Sequence, residues 1–66
     1  MDLRALRSLV AVAEEGTVTA GAARLGLGQP AVSRQLLQLE RQLRVRLFDR
    51  EGARMRLSAA GQQLLP

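Results

Sequence analysis

The chain has 66 residues, ten arginines against six carboxylates, and neither cysteine nor histidine. So short a chain holds one domain, which buries only about 60% of its unfolded surface; disulfide staples and a zinc site built from the usual Cys and His ligands are both excluded, and no metal or cofactor is expected. Charge is unevenly placed, because residues 1–23 carry Arg4 and Arg7 against Asp2, Glu14 and Glu15, a net of −1, whereas residues 24–66 carry eight arginines against Glu40, Asp49 and Glu51, a net of +5, so the second half is the candidate face for a polyanion.

The opening Met1-Asp2-Leu3-Arg4-Ala5-Leu6-Arg7 is not a secretory signal, since Arg4 and Arg7 interrupt its apolar stretch. No apolar run is long enough to span a bilayer, and a soluble, cytoplasmic protein is expected. Leu3, Leu6, Leu9, Val10 and Ala13 recur at spacings of three and four. They predict a first helix with that stripe on the core, capped by Asp2 and ended by Gly16. Glu14 and Glu15 in its last turn oppose the helix dipole, so charge is not expected to fix that end.

Thr17 or Thr19 caps a short second helix, Val18 through Leu25, stopped near Gly26. Gly21 inside it costs roughly 1 kcal/mol against alanine in helix propensity. Gly26-Leu27-Gly28 form a tight connector. A third helix follows from about Gln29, with Pro30 tolerated in its first turn. Val32, Leu36, Leu39 and Leu43 form its apolar stripe with Leu37 on the flank, and Ser33, Arg34, Gln38, Arg41 and Gln42 form a polar surface beside it. Leu47-Phe48-Asp49-Arg50 and Arg54-Met55-Arg56-Leu57, set around Glu51-Gly52-Ala53, predict a small β-hairpin. Ser58 caps a fourth helix over Ala59 through Leu65.

Two helices joined by a three-residue glycine-containing turn cross steeply and project the second outwards, where its first turns can enter a DNA major groove. Gln29, Pro30, Ser33 and Arg34 share one face of that helix. Glutamine can pair with adenine and arginine with guanine, serine is versatile, and proline offers an apolar contact to a thymine methyl. Arg50 and Arg54 flank the hairpin tip, as a basic wing against backbone or minor groove would require. The alternative is a small helical protein-interaction module without DNA binding. It needs an exposed apolar stripe, and one core is expected to consume every stripe here. Catalysis is not expected: carboxylates are few, and the adjacent Glu14 and Glu15 do not face each other on a helix. RNA binding lacks stacking aromatics, Phe48 being the single one.

Gly16-Thr17-Val18-Thr19, Ala22-Ala23-Arg24-Leu25, Gln29-Pro30-Ala31-Val32-Ser33-Arg34-Gln35, Leu39-Glu40, Leu47-Phe48-Asp49-Arg50 and Leu57-Ser58-Ala59-Ala60-Gly61 occur in this order. Together with Met1-Asp2-Leu3-Arg4 and Val10-Ala11-Val12-Ala13-Glu14-Glu15, they resemble the N-terminal domain of LysR-type transcriptional regulators along nearly the whole chain. The resemblance implies a mostly α, winged helix-turn-helix fold: a three-helix core, a two-stranded wing and the start of a linker helix. Residues 1–57 would be the DNA-binding domain and 58–66 the first turns of a dimerisation helix. It implies double-stranded DNA as partner and a homodimer or tetramer in the full-length protein. A small-molecule effector would act only through a C-terminal domain absent from this sequence, so the chain is expected to be a detached reading head, monomeric or weakly dimeric alone. Gln29, Pro30, Ser33 and Arg34 match groove-facing positions of the family, Arg50 and Arg54 match its wing, and Thr19 matches a position near backbone phosphate. Four residues depart from the family pattern. Val18 stands where Phe is usual, Gly21 where Ala is, Gly28 where Ser often caps, and Arg44 where Gly is common. If that glycine serves a left-handed conformation, Arg44 is strained or its turn is remodelled.

Overall fold

In the computed structural model, which describes residues 2–65, the chain runs α1 (Leu3–Glu15), α2 (Val18–Leu25), α3 (Gln29–Leu43), β1 (Phe48–Glu51), β2 (Arg54–Leu57) and α4 (Ala59–Leu64). Met1, in the opening motif, and Pro66, last of the expected linker segment 58–66, lie outside the described residues. The element order is that of the expected winged helix-turn-helix, with α4 ending one residue earlier.

Local chemistry sets the helix ends. The Arg4 amide donates to Asp2 Oδ1 at 2.9 Å, and this bond holds the Asp2 carboxyl below its ordinary range. Of the two threonines that could cap α2, Thr17 does so, accepting from the Ala20 amide at 3.1 Å. Gly16 and Gly26 close α1 and α2 in the left-handed conformation, with φ of 87° and 68°. Glycine adopts this at no steric cost.

The core face of α1 is not its leucine stripe. Ala5, Ser8, Leu9, Ala11 and Val12 are buried, whereas Leu3 is 63% exposed and Leu6, Val10 and Ala13 are half-buried. Only Leu9 belongs to both sets. The cause is close packing. α2 and α3 both press on α1, and the side that admits two helices is the one with small residues. Leu6 and Ala13 still pack against the core from its edge, so counting leucines misplaces the centre of the buried face by roughly one helix position. Ser8 is fully buried there and its hydroxyl donates to Gln35 Oε1, tying α1 to α3.

Gly21 marks the α1–α2 crossing. A Cβ at that position would stand 2.7 Å from Val12 Cγ2 and 3.0 Å from the Val12 backbone N and Cα. The glycine that lowers the propensity of α2 is therefore what lets its backbone rest on α1. Gly21→Ala would gain about 1 kcal/mol of propensity and incur about 2 kcal/mol of overpacking. A net loss of about 1 kcal/mol is expected, seen as a melting temperature lower by about 4–8 °C. A rise in melting temperature would show that α2 moves freely and that propensity governs.

In α3, Val32, Leu36 and Leu39 are buried, but Leu43, expected on the same stripe, is 39% exposed at the last helical position. Arg44 caps the end at φ 57°, ψ 38°, its amide donating to the Glu40 carbonyl. It is the one non-glycine residue with positive φ among those described. The turn is thus retained with arginine in the left-handed region, at a cost of roughly 1–2 kcal/mol.

The hairpin pairs Phe48 with Leu57, Asp49 with Arg56, Arg50 with Met55 and Glu51 with Arg54. Gly52, first of the two turn residues, has φ 62° while Ala53 is not left-handed. That is the type II′ arrangement, whose twist suits a tight hairpin. Four bonds fix its orientation. The Met55 amide donates to the Gly16 carbonyl at 2.9 Å, and the Leu47 amide to Glu40 Oε2 at 2.7 Å. The Ser58 amide donates to the Leu47 carbonyl at 2.8 Å, and the Ser58 hydroxyl to the Arg46 carbonyl. Ser58 also caps α4, accepting from the Gly61 amide at 3.1 Å. Phe48, Leu47 and Met55 carry the hairpin into the core with Leu9, Val12, Val32 and Leu39.

Candidate nucleic-acid interface

The third helix leaves a long face uncovered. Gln29, Pro30 and Arg34 are exposed and Ser33 is half-buried at the edge of that face. Gly28 offers no side-chain cap, so the first amides of α3 are open to solvent or a ligand. Leu37, Gln38 and Arg41 continue the same face. In the sequence, Gln38 and Arg41 read only as polar surface and Leu37 as a flank. The 3.6-residue period, followed past the first two turns from Arg34, would have found all three.

Four of the predicted residues fall into two groups, and Pro30, Ser33 and Arg54 belong to neither. Thr19, Gln29 and Arg50 line one shallow depression with Thr17, Gly52 and Ala53, between the α2 start, the α3 start and the hairpin turn. Strand alternation produces this. Arg50 shares the inward face of the hairpin with Phe48, Met55 and Leu57, but near the tip that face has left the core, so Arg50 is exposed and borders the depression that Gln29 of α3 also lines. Arg34 lines a second depression with Ala31, Gln38 and Arg41, bordered by Asp2, the α1 cap, and Arg4 of α1.

Arg54 is not brought to Arg50. It lies on the outer face of the hairpin, directly across from Glu51, while Arg56 lies across from Asp49. Arg56 Nη1 is 3.9 Å from Glu51 Oε1. The outer face therefore carries two acids against two arginines, and the inner face carries Arg50 alone.

Charge elsewhere is partly used up. Arg24 Nη1 is 2.6 Å from Glu14 Oε1 and 3.4 Å from Glu15 Oε2, and the Glu14 carboxylate holds the guanidinium more firmly charged. The α1 end, which its own charges do not stabilise, is thus compensated from α2. Among the described residues, Arg34, Arg41, Arg44, Arg46, Arg50 and Arg54 have no carboxylate within salt-bridge distance. Arg7 on α1 is likewise free, and the other six cluster on α3, its exit turn and the hairpin. They present forked donors suited to phosphate oxygens and guanine edges.

The expectation that one core consumes every apolar stripe does not hold. Leu3, Leu27, Leu37, Leu43 and Val45 are 39–63% exposed. They are spread over α1, the connector, α3 and its exit turn, which is less than the single groove an interaction module needs.

A family model described as bacterial regulatory helix-turn-helix protein, lysR family, matches residues 3–62. An HTH-type transcriptional regulator from the ibpB-leuC intergenic region of Azotobacter vinelandii is 53% identical over 66 residues, 100% of this chain and 46% of the relative. The transcriptional regulator ClcR of Pseudomonas putida is 46% identical over 65 residues, 98% of this chain and 22% of ClcR. The chain thus spans about half the first relative and about a fifth of the second. Among solved structures, the CbnR DNA-binding domain in complex with DNA superposes with a TM-score of 0.93 at 42% identity, over 98% of this chain and 75% of that one. The BenM DNA-binding domain bound to benA site 1 DNA gives 0.91 at 38% identity, over 97% and 72%.

Proposed function

The chain belongs to the lysR family of bacterial regulatory helix-turn-helix proteins, and on that premise we propose that it is the DNA-reading head of a transcription regulator. It binds double-stranded DNA with sequence preference, the first turns of α3 in the major groove and the hairpin at the adjacent minor groove. Gln29, Pro30, Ser33 and Arg34 read base edges. Thr19 and Arg50 hold backbone on either side of the α3 start. Arg54, opposed by Glu51, reaches backbone beyond the hairpin tip with less effect. Residues 1–57 form the reading unit, and 58–66 begin the helix that pairs two heads in a dimer or tetramer of the longer protein. Any small-molecule effector acts outside this segment, and the unit performs no catalysis. No described helix is long and apolar enough to cross a membrane, which agrees with the proposed cytoplasmic location.

One observation carries this reading. Across from the exposed start of α3, the hairpin turns its single inward cation, Arg50, towards Thr19 and Gln29. A three-helix bundle with a merely solvated surface has no need of that convergence. Selection of bound sites from random duplex DNA tests it. Enrichment of a short motif is expected, repeated with inverted symmetry about one helical turn apart or a multiple of it where paired heads bind. Recovery of no motif, with binding indifferent to salt, would refute it.

A further inference from the structure

We propose that Arg41, Arg44 and Arg46 form a second, sequence-independent anchor for the DNA phosphate backbone at the far end of α3. This rests on the DNA-binding reading above and extends its footprint beyond the residues that read bases.

The surface is continuous with the reading face. Arg34, Leu37 and Arg41 border one depression, and Leu37, Arg41, Arg44 and Arg46 border the next. All three arginines are exposed and none has a carboxylate partner among the described residues. Glu40, the one acid in that depression, is engaged by the Leu47 amide at 2.7 Å. The patch is therefore a local excess of positive charge, which attracts a polyanion before any specific contact forms.

Arg44 makes the stronger case. It occupies a left-handed position where every side chain is disfavoured and glycine is free. Its amide bond to the Glu40 carbonyl would be made equally by glycine. Its side chain is exposed and has no salt-bridge partner among the described residues. A bulky cation kept where the backbone disfavours it, with no return in packing, points to work done outside the fold.

Dimensions assign the work. Arg44 lies ten residues beyond Arg34, or about 15 Å along the helix. The major groove is about 12 Å wide. When Arg34 reaches a base edge and α3 runs obliquely out of the groove, Arg44 stands at the groove wall, where phosphates lie and base edges do not. Contacts there fix position without reading sequence.

The test compares wild type, Arg44→Gly, Arg44→Gln and the triple variant Arg41→Gln, Arg44→Gln, Arg46→Gln. Each is titrated with a selected duplex and with a scrambled duplex of equal composition, from 50 to 200 mM salt, beside thermal melts. Each lost contact should lower the salt slope by about 0.9. Over that fourfold salt range a single variant should lose about threefold to fourfold less affinity than wild type, and the triple about 40-fold less. Both duplexes should be affected alike, leaving their affinity ratio unchanged. Arg44→Gly should melt above wild type yet bind more weakly at low salt, which a purely structural turn would not do. The proposal is overturned if Arg44→Gly binds as tightly as wild type, if the triple keeps the wild-type slope, or if losses appear on the selected duplex alone. In those cases wild-type binding still stands and only the anchor falls. Wild-type protein that binds neither duplex would remove the underlying reading as well.

Discussion

Replacing Gly61 by alanine is expected to cost about 3 kcal/mol, at the upper end of what overpacking does, and to lift α4 from the hairpin. Gly61 is buried in the first turn of a six-residue helix. A Cβ there would overlap the Leu47 carbonyl oxygen and stand 2.9 Å from Leu57 Cδ2 and 3.3 Å from the Leu47 carbonyl carbon. The obstacle is backbone, so no rotamer relieves it. Nor can that carbonyl retreat, since it accepts the Ser58 amide at 2.8 Å. Ser58 in turn caps α4 and holds Arg46. The strain therefore reaches the start of β1 and the cap of α4 together. For a chain of this length, whose total stability is of the order of 3–10 kcal/mol, the loss is a large share. Thermal and urea denaturation would register it as a fall of roughly 12–24 °C and a lower urea midpoint. A melting temperature within a degree or two of wild type would mean that α4 is not held as described.

Glycine also shows what the sequence conceals. Turn glycines were legible, because Gly16, Gly26 and Gly52 sit where periodicity stops and a positive φ is needed. Gly21 and Gly61 were not, since both lie inside helices where only propensity speaks, and propensity counts each as a defect. Their reason is a close approach of backbone from a distant segment. The element order was legible from period and caps alone, and Asp2, Gly28 and Ser58 begin their helices as read. The core face of α1 was not, because it depends on which side two other helices occupy. Of the α1 leucines only Leu9 marks the centre of the buried face, and the buried Ser8 carried no sequence signal at all.

The candidate site divides in the same way. The face from Gln29 to Arg34 follows from helical spacing and was legible. The separation of Arg50 from Arg54 follows from hairpin register, and register depends on where the two-residue turn falls. Placing the turn at Gly52-Ala53 sets Glu51 opposite Arg54 and leaves Arg50 facing α3. Reading Glu51-Gly52-Ala53 as one undivided loop hid that distinction. A single step in strand register moves every side chain to the other face, so charge counts around a hairpin tip say little until the turn is known.

Arg34→Ala is expected to weaken binding of the selected duplex by about 1–3 kcal/mol and to relax preference at one base position. The fold should not change. Arg34 is exposed, pairs with no carboxylate and makes no side-chain hydrogen bond among the described residues, so melting should match wild type. This separates it from Gly61, whose replacement acts through stability. It also separates it from Arg44, whose removal should act equally on every sequence. Arg34→Lys sharpens the comparison. Lysine keeps the charge but lacks the planar fork that spans O6 and N7 of guanine. If Arg34 reads a base, the lysine variant should retain most affinity for scrambled DNA and lose discrimination at the same position as the alanine variant. If Arg34 merely holds phosphate, lysine should restore binding to both duplexes and discrimination should be untouched. Equal binding of the selected duplex by Arg34→Ala and wild type would remove Arg34 from the reading face. The exposed ridge would then act through Gln29, Pro30 and Ser33, nearer the hairpin and Arg50.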